Sequence, residues 1–493
     1  MRNVAVAAIC FASVGAMAQD ANTVIANAQK ALGDVKSITY SGTAKDVAFQ
    51  QCGANAADMQ CRGTHDPMRP INNYVRVIDL AGPASRATGS TMNIGAGGST
   101  TVAPGTFFQQ VTPQQADVSQ PWGNSLELYI TPWGFLKGAA ANNATVNKKR
   151  VEGKNYTVLT WSPAVKAASG KSYTINGYVD DKNMVDRVET WLGENIMGDM
   201  HILAVYSGWK DFGGVMAPAK IVQTRGGWPF FEVDVTSAKA NPPDVATLVP
   251  APAAGRGGAG GGAPGGPPAL NVTSEKLGDG IYRLTTGPGS YDSVIVEFKD
   301  YIMMLEAGQS IARGQAYIAE TKRLIPNKPI RYVFNTHPHS DHTGGLPALV
   351  AEGAIIITQK NNEKFLSDAL NTPRTLLTDV LAQNPKKAKF ETIDEKKVYS
   401  DGTRVVEMYH TWPVPHSNGL AIAFLPKEKI LFQGDFSVNP GEAANDHVNA
   451  LVPILQRLNL DYDRYINVHA SAAPQHKADV MKAYEMRQAS AKK

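Results

Sequence analysis

His337, His339, Asp341 and His342 place four metal-ligating side chains within six consecutive residues, HPHSDH. Side chains repeat every two residues in an extended loop, so His337 and His339 point the same way and can hold one ion together. Asp341 and His342 follow after a turn and can face a second ion. Imidazole nitrogen and carboxylate oxygen suit zinc, and suit iron or manganese less exclusively. Any one of these residues alone has an ordinary reading; Asp341, for instance, is a good helix N-cap type. The whole block reads as a metal site.

Such a loop needs rigid neighbours. Ile330 to Phe334 (IRYVF) reads as a buried strand before it. Gly344-Gly345 opens an apolar run after it, LPALVAEG, that reads as a helix. The same plan recurs three times. Val405–Tyr409 precedes Pro415-His416-Ser417-Asn418-Gly419, Lys429–Phe432 precedes Gly434-Asp435, and Tyr465–Val468 precedes His469. Loops at one edge of a sheet converge, which adds His416, Asp435 and His469 to the candidate set. Gly280–Thr285, Ser293–Phe298 and Tyr301–Leu305 supply further strands, and strands with strand-helix pairs indicate an α/β sandwich. His410 lacks the Gly/Asn turn that flanks His416 and is not counted as a ligand. His447 and His476 read as surface or cap positions, His65 and His201 as structural, and Asn418 as a turn former.

Residues 271–493 resemble the metallo-β-lactamase superfamily. The resemblance lies in the H-x-H-x-D-H block with "NT" before and "TGG" after, in "PHSNGLAIAFLPKEKILFQGDF", where His416 and Asp435 lie nineteen apart, and in His469. It implies a four-layer αββα sandwich. It also implies that His337, His339 and His416 would hold a first metal, that Asp341, His342 and His469 would hold a second, and that Asp435 would bridge both. Two zinc ions about 3.5–4 Å apart share a hydroxide at neutral pH and clamp a carbonyl or phosphoryl oxygen. Asp341 would orient that water and handle its proton, making it the catalytic candidate. The chain departs from the family twice. Glu306-Ala307-Gly308 stands where the family has Asp-x-Gly, so Glu306 becomes an outer support for the ligand loop. Asp435 stands where β-lactamases carry Cys or Ser, which favours ester, thioester, lactone or related bonds over β-lactams. The alternatives are a mononuclear iron dioxygenase of the same fold and a non-catalytic periplasmic carrier or scaffold.

The rest of the chain sets the context. Its 493 residues exceed one ordinary domain. With 43% hydrophobic and 19% charged residues it is globular in composition, and a net charge of +4 without a dense basic block gives no nucleic-acid surface. Lys148-Lys149-Arg150 reads as a solvated face. Arg2, the apolar run Val4 to Val14 and Ala16-Met17-Ala18 read as a signal peptide over residues 1–18, which predicts a periplasmic or secreted protein with no transmembrane segment. In that oxidising setting Cys52 and Cys61 are expected to form a disulfide. PAPAAGRGGAGGGAPGGPP, within residues 248–268, has nothing to bury and reads as a linker. It separates an antiparallel β-rich region, 19–247, from the α/β region, 269–493, and predicts that the latter stands alone. Residues 19–247 open with an amphipathic helix over Asn22–Leu32 and resemble the LolA-like half-barrel in "VKSITYSGTA" and "MGDMHILAVYSGWKDFGGVMAPAKIVQTRGG". That likeness implies an apolar ligand or a purely structural role. The two Pro-Trp-Gly segments, at Pro121 and Pro132, read as tryptophans packed under loops. A small-molecule substrate is expected; oligomeric state is not legible.

Overall fold

The computed structural model describes residues 20–47, 68–94, 102–249, 270–287, 290–439, 441–469 and 475–492. The expected signal peptide, Cys52, Cys61, His65 and nearly all of the linker lie outside the described residues.

The C-terminal region is built on two sheets. The first has seven strands in the order Thr273–Gly278, Ile281–Thr285, Ser293–Glu297, Ile302–Leu305, Ile330–Phe334, Ile355–Gln359 and Lys389–Ile393. Its last four strands pair in parallel. Parallel strands covered on both faces need continuous apolar runs, and IMML and IRYVF supply them: every residue of the first and all but Arg331 of the second are buried. The second sheet has six strands in the order Lys396–Ser400, Val405–His410, Ala421–Leu425, Ile430–Gln433, Arg464–Asn467 and Gln475–His476. One core fills the space between the sheets, with Val294, Leu305 and Phe334 meeting Met408, Ala423 and Phe432. Helices Asp446–Arg457 and Lys477–Ala491 cover the outer face of the second sheet. Helices Ile311–Leu324, Leu346–Glu352 and Lys360–Leu370 cover the first. This is the αββα sandwich.

The N-terminal region is one eleven-stranded antiparallel sheet, running from Val102–Val111 at one edge to Thr145–Val151 at the other. The first helix spans Ala21–Leu32; Asp20 caps it, and Gly33 closes it at φ 98°. Val24, Ala28 and Leu32 form its buried stripe. The Pro-Trp-Gly segments start helices, Trp122–Tyr129 and Pro132–Ala141, a correction to the loop reading. Proline at a helix start is preorganised, and both tryptophans are buried against the sheet. The Trp122 indole N–H donates to Thr190 Oγ1 at 3.0 Å.

The two regions share one hydrophobic cluster. Asp199 accepts from the backbone N–H groups of Thr375 and Leu376 at 2.9 and 2.8 Å, and its own N–H donates to Pro373 O at 2.7 Å. Gly198 fits there because its φ is +59° and a Cβ would meet Pro373 O at 2.5 Å. Trp228 packs edge-on against Phe365, centroids 5.9 Å apart. The linker reading does not allow for this surface. A chain of residues 270–493 alone uncovers Phe365 and Leu376, which costs about 3–6 kcal/mol and lowers Tm by roughly 10 °C or more. Calorimetry of the truncated and full chains checks this; equal melting temperatures would contradict it.

Candidate metal centre

Every candidate ligand follows a strand end. His337 and His339 follow Ile330–Phe334, His416 follows Val405–His410, Asp435 follows Ile430–Gln433, and His469 follows Arg464–Asn467. Asp341 and His342 lie on the short turn of helix Ser340–Thr343. The TGG that follows has a packing reason: a Cβ on Gly344 would lie 2.0 Å from Gln309 O, and one on Gly345 2.0 Å from Ala307 O. The ligand loop therefore presses directly on the loop that carries Glu306.

The structure brings all seven predicted residues together in two groups, His337, His339, His416 and Asp435, and Asp341, His342 and His469. Within the first, His337 Nε2 lies 3.0 Å from His339 Nδ1 and 3.1 Å from His416 Nε2. Asp435 Oδ2 lies 2.7 Å from His416 Nε2 and 3.5 Å from His337 Nε2. Within the second, Asp341 Oδ2 lies 3.6 Å from both His342 Nε2 and His469 Nε2. Asp435 Oδ1 lies 2.7 Å from each of the same two nitrogens. The Asp435 carboxylate thus gives one oxygen to each group. A tetrahedral ion with bonds of about 2.0–2.1 Å sets its donors roughly 3.3 Å apart, so three imidazole nitrogens and a carboxylate oxygen at these separations fit such an ion.

The electrostatics of His337, His339 and Asp435 agree with the donor set, while His342 in the metal-free protein favours its proton. Burial, reinforced by His342, pushes His337 down to about 3, and burial with His337 and His416 pushes His339 down as well. Both rings are therefore neutral donors. Burial opposes ionisation of Asp435, yet His342, His416 and His337 together hold its carboxyl well below the usual range. Burial likewise opposes charging of His342, but Asp435 and Asp341 raise it well above an ordinary histidine.

Glu306 is fully buried, with φ +71°. It accepts from Thr336 Oγ1 at 2.5 Å and Asn335 Nδ2 at 3.2 Å, and its Oε2 lies 3.3 Å from His342 Nδ1. Thr336 Oγ1 also lies 3.1 Å from His337 Nδ1. One carboxylate therefore orients a ring in each group, leaving Nε2 of both directed at the centre.

The other histidines divide. His410 Nε2 bonds the Asn418 carbonyl at 3.0 Å, outside the centre. His476 is the N-cap of the last helix, and His201 pairs with Glu189 at 3.0 Å. His447 is a correction: it is buried, its ring 4.7 Å from that of His416. The signal was present, since His447 shares a helix face with Leu451 and Ile454. Tyr291 was also missed. Its phenol donates to Asp341 Oδ2 at 3.3 Å, and burial and Asp341 push that phenol's pKa up.

Residues 286–473 match the family described as the metallo-beta-lactamase superfamily. Over 198 residues the chain is 24% identical to the atrochrysone carboxyl ACP thioesterase dmxR1 of Cryptosporiopsis sp. (strain 8999), covering 39% of this chain and 53% of that protein. The chain thus spans about half the length of this curated relative. Among solved structures, a metallo-beta-lactamase from Pontibacter korlensis is 16% identical, with 44% of this chain and 99% of that one covered at a TM-score of 0.34. The metallo-beta-lactamase FIM-1 from Pseudomonas aeruginosa in its mono-zinc form is 19% identical, with 45% and 98% covered at 0.34.

Proposed function

From a C-terminal domain whose residues 286–473 match the metallo-beta-lactamase superfamily, we propose that the protein is a zinc-dependent hydrolase acting on an ester, thioester or lactone of a small molecule. The observation that carries this is the division of Asp435, with Oδ2 at 2.7 Å from His416 and Oδ1 at 2.7 Å from His342 and His469. That arrangement suits a bridging ligand between two ions. Asp435 in place of the Cys or Ser of β-lactamases makes β-lactams the less favoured substrates. The thioesterase relative supports a thioester among the candidates. The N-terminal sequence supports export to a periplasmic or extracellular space.

His337, His339, His416 and Asp435 would hold one ion, and Asp341, His342, His469 and Asp435 the other. Bound zinc supplies a water activated at neutral pH and a Lewis acid for the carbonyl oxygen. The chain's own part is orientation and proton handling. Asp341 Oδ1 has no hydrogen-bond partner among the described residues, and the Asp341 carboxylate would take a proton from the attacking water. Glu306 fixes the rings of His337 and His342 through Thr336 and directly.

Elemental analysis after mild purification is expected to give close to two zinc per chain. The zinc-loaded protein should turn over at least one of an aryl ester, a thioester and a lactone faster than nitrocefin or a phosphodiester. A reproducible content of one iron and no zinc would reject this reading in favour of a mononuclear iron dioxygenase. Full zinc loading without turnover of any of the five would favour a carrier or scaffold.

A further inference from the structure

The two halves of the centre are not equally held. The His337 side chain is fully buried and that of His416 is 3% exposed, whereas Asp341 and His469 are 20% and 35% exposed. An exposed side chain samples more rotamers, and fixing it around a ligand costs entropy. The half made by Asp341, His342 and His469 therefore needs support from outside the ligand set.

Tyr291 touches all three of these residues, its ring standing edge-on to that of His342 with centroids 6.2 Å apart. Its phenol donates to Asp341 Oδ2 at 3.3 Å. Its ring lies 4.7 Å from the His469 ring, and its backbone forms a β-bridge with His469. The next residue extends that bridge, Asp292 N–H donating to Val468 O at 2.6 Å. Tyr291 is itself fixed from behind. The Tyr317 hydroxyl and Arg313 Nη1 both donate to its carbonyl, and the Arg313 guanidinium lies 5.6 Å from its ring centroid.

We propose that Tyr291 is a positioning residue that pre-orders Asp341 and His469 for the second metal. This rests on the two-metal reading above. The hydroxyl selects one rotamer of Asp341, while the ring and the backbone bridge limit the swing of His469. The first half, walled by buried histidines, does not depend on it.

The test is stepwise zinc titration by calorimetry on the full-length metal-free protein, with cobalt(II) spectra recorded at one and two equivalents. Tyr291→Phe keeps the ring and removes the hydroxyl. It should weaken the second binding step about tenfold and leave the first within about twofold, the scale on which outer partners act. The absorption added by the second cobalt equivalent should shift while that of the first does not. Tyr291→Ala also removes the ring and should weaken the second step roughly 100-fold. Unchanged second-step affinity and cobalt spectra in both variants would overturn the clamp and leave two-metal binding intact. Equal weakening of both steps would overturn it too, since that marks general loosening. Wild-type protein saturating at one equivalent would overturn both readings.

Discussion

Asp435→Ser is expected to take up close to one zinc per chain where the parent is expected to take up two. The variant removes a carboxylate whose Oδ1 lies 2.7 Å from both His342 and His469 and whose Oδ2 lies 2.7 Å from His416. The first group keeps three buried imidazoles, enough for the three protein ligands of a catalytic zinc site. The second keeps only Asp341, His342 and His469, two of them partly exposed. Its affinity should fall by at least about 100-fold, beyond the 10–100-fold typical of losing an outer partner. Activity should fall with occupancy and recover in part when zinc is added in excess. Equal loss of both metals in equilibrium dialysis would show that Asp435 does not divide its oxygens as described.

Asp341→Asn has the opposite signature. It preserves shape and removes the charge and the proton acceptor. Asp341 Oδ1 is buried without a partner, while Oδ2 faces His342, His469 and the Tyr291 phenol. One oxygen is thus engaged, and on the proposed mechanism the carboxylate would accept the proton of the attacking water. The kcat should fall by about 100-fold or more, the usual scale for losing general-base help. Excess zinc should restore little of it, which separates this variant from Asp435→Ser in one steady-state assay. Turnover of the identified substrate at the parent rate would show the hydrolytic mechanism to be wrong, whatever the metal.

The candidate residues that the fold brings together were legible because their information is local. H-x-H-x-D-H names four donors by spacing alone, and the strand runs before His416, Asp435 and His469 announce loops at one sheet edge. The sandwich was legible for the same reason: IMML and IRYVF are short apolar runs that suit strands buried on both faces. Contacts decided by distant partners were not legible. Tyr291 reaches Asp341 across 50 positions of sequence. Glu306 was suspected only because it departs from a family pattern; its φ of +71° and its bond to Thr336 exist only in the assembled fold. The docking of Asp199 on Thr375 and Leu376 spans over 170 residues and leaves no periodic trace. Strands Ala84–Ile94 and Val102–Val111 escaped because ASRATGSTMNI and VAPGTFFQQV are rich in Gly, Ser, Thr and Pro, which read as turns until cross-strand neighbours are known.

Among the described residues the eleven-stranded sheet is open, and an open sheet ends in two strands whose outward backbone groups invite another chain to add itself. At one edge, Thr145–Val151 exposes Lys148, Lys149 and Arg150 in succession. An arriving strand would have to set its own side chains beside these three cations. At the other edge, Val102–Val111 carries the exposed Pro104, which has no N–H to offer. The basic run that reads in sequence as a solvated face is exposed in the fold too, and it lies on the outermost strand of the sheet, where charge disfavours the addition of another strand.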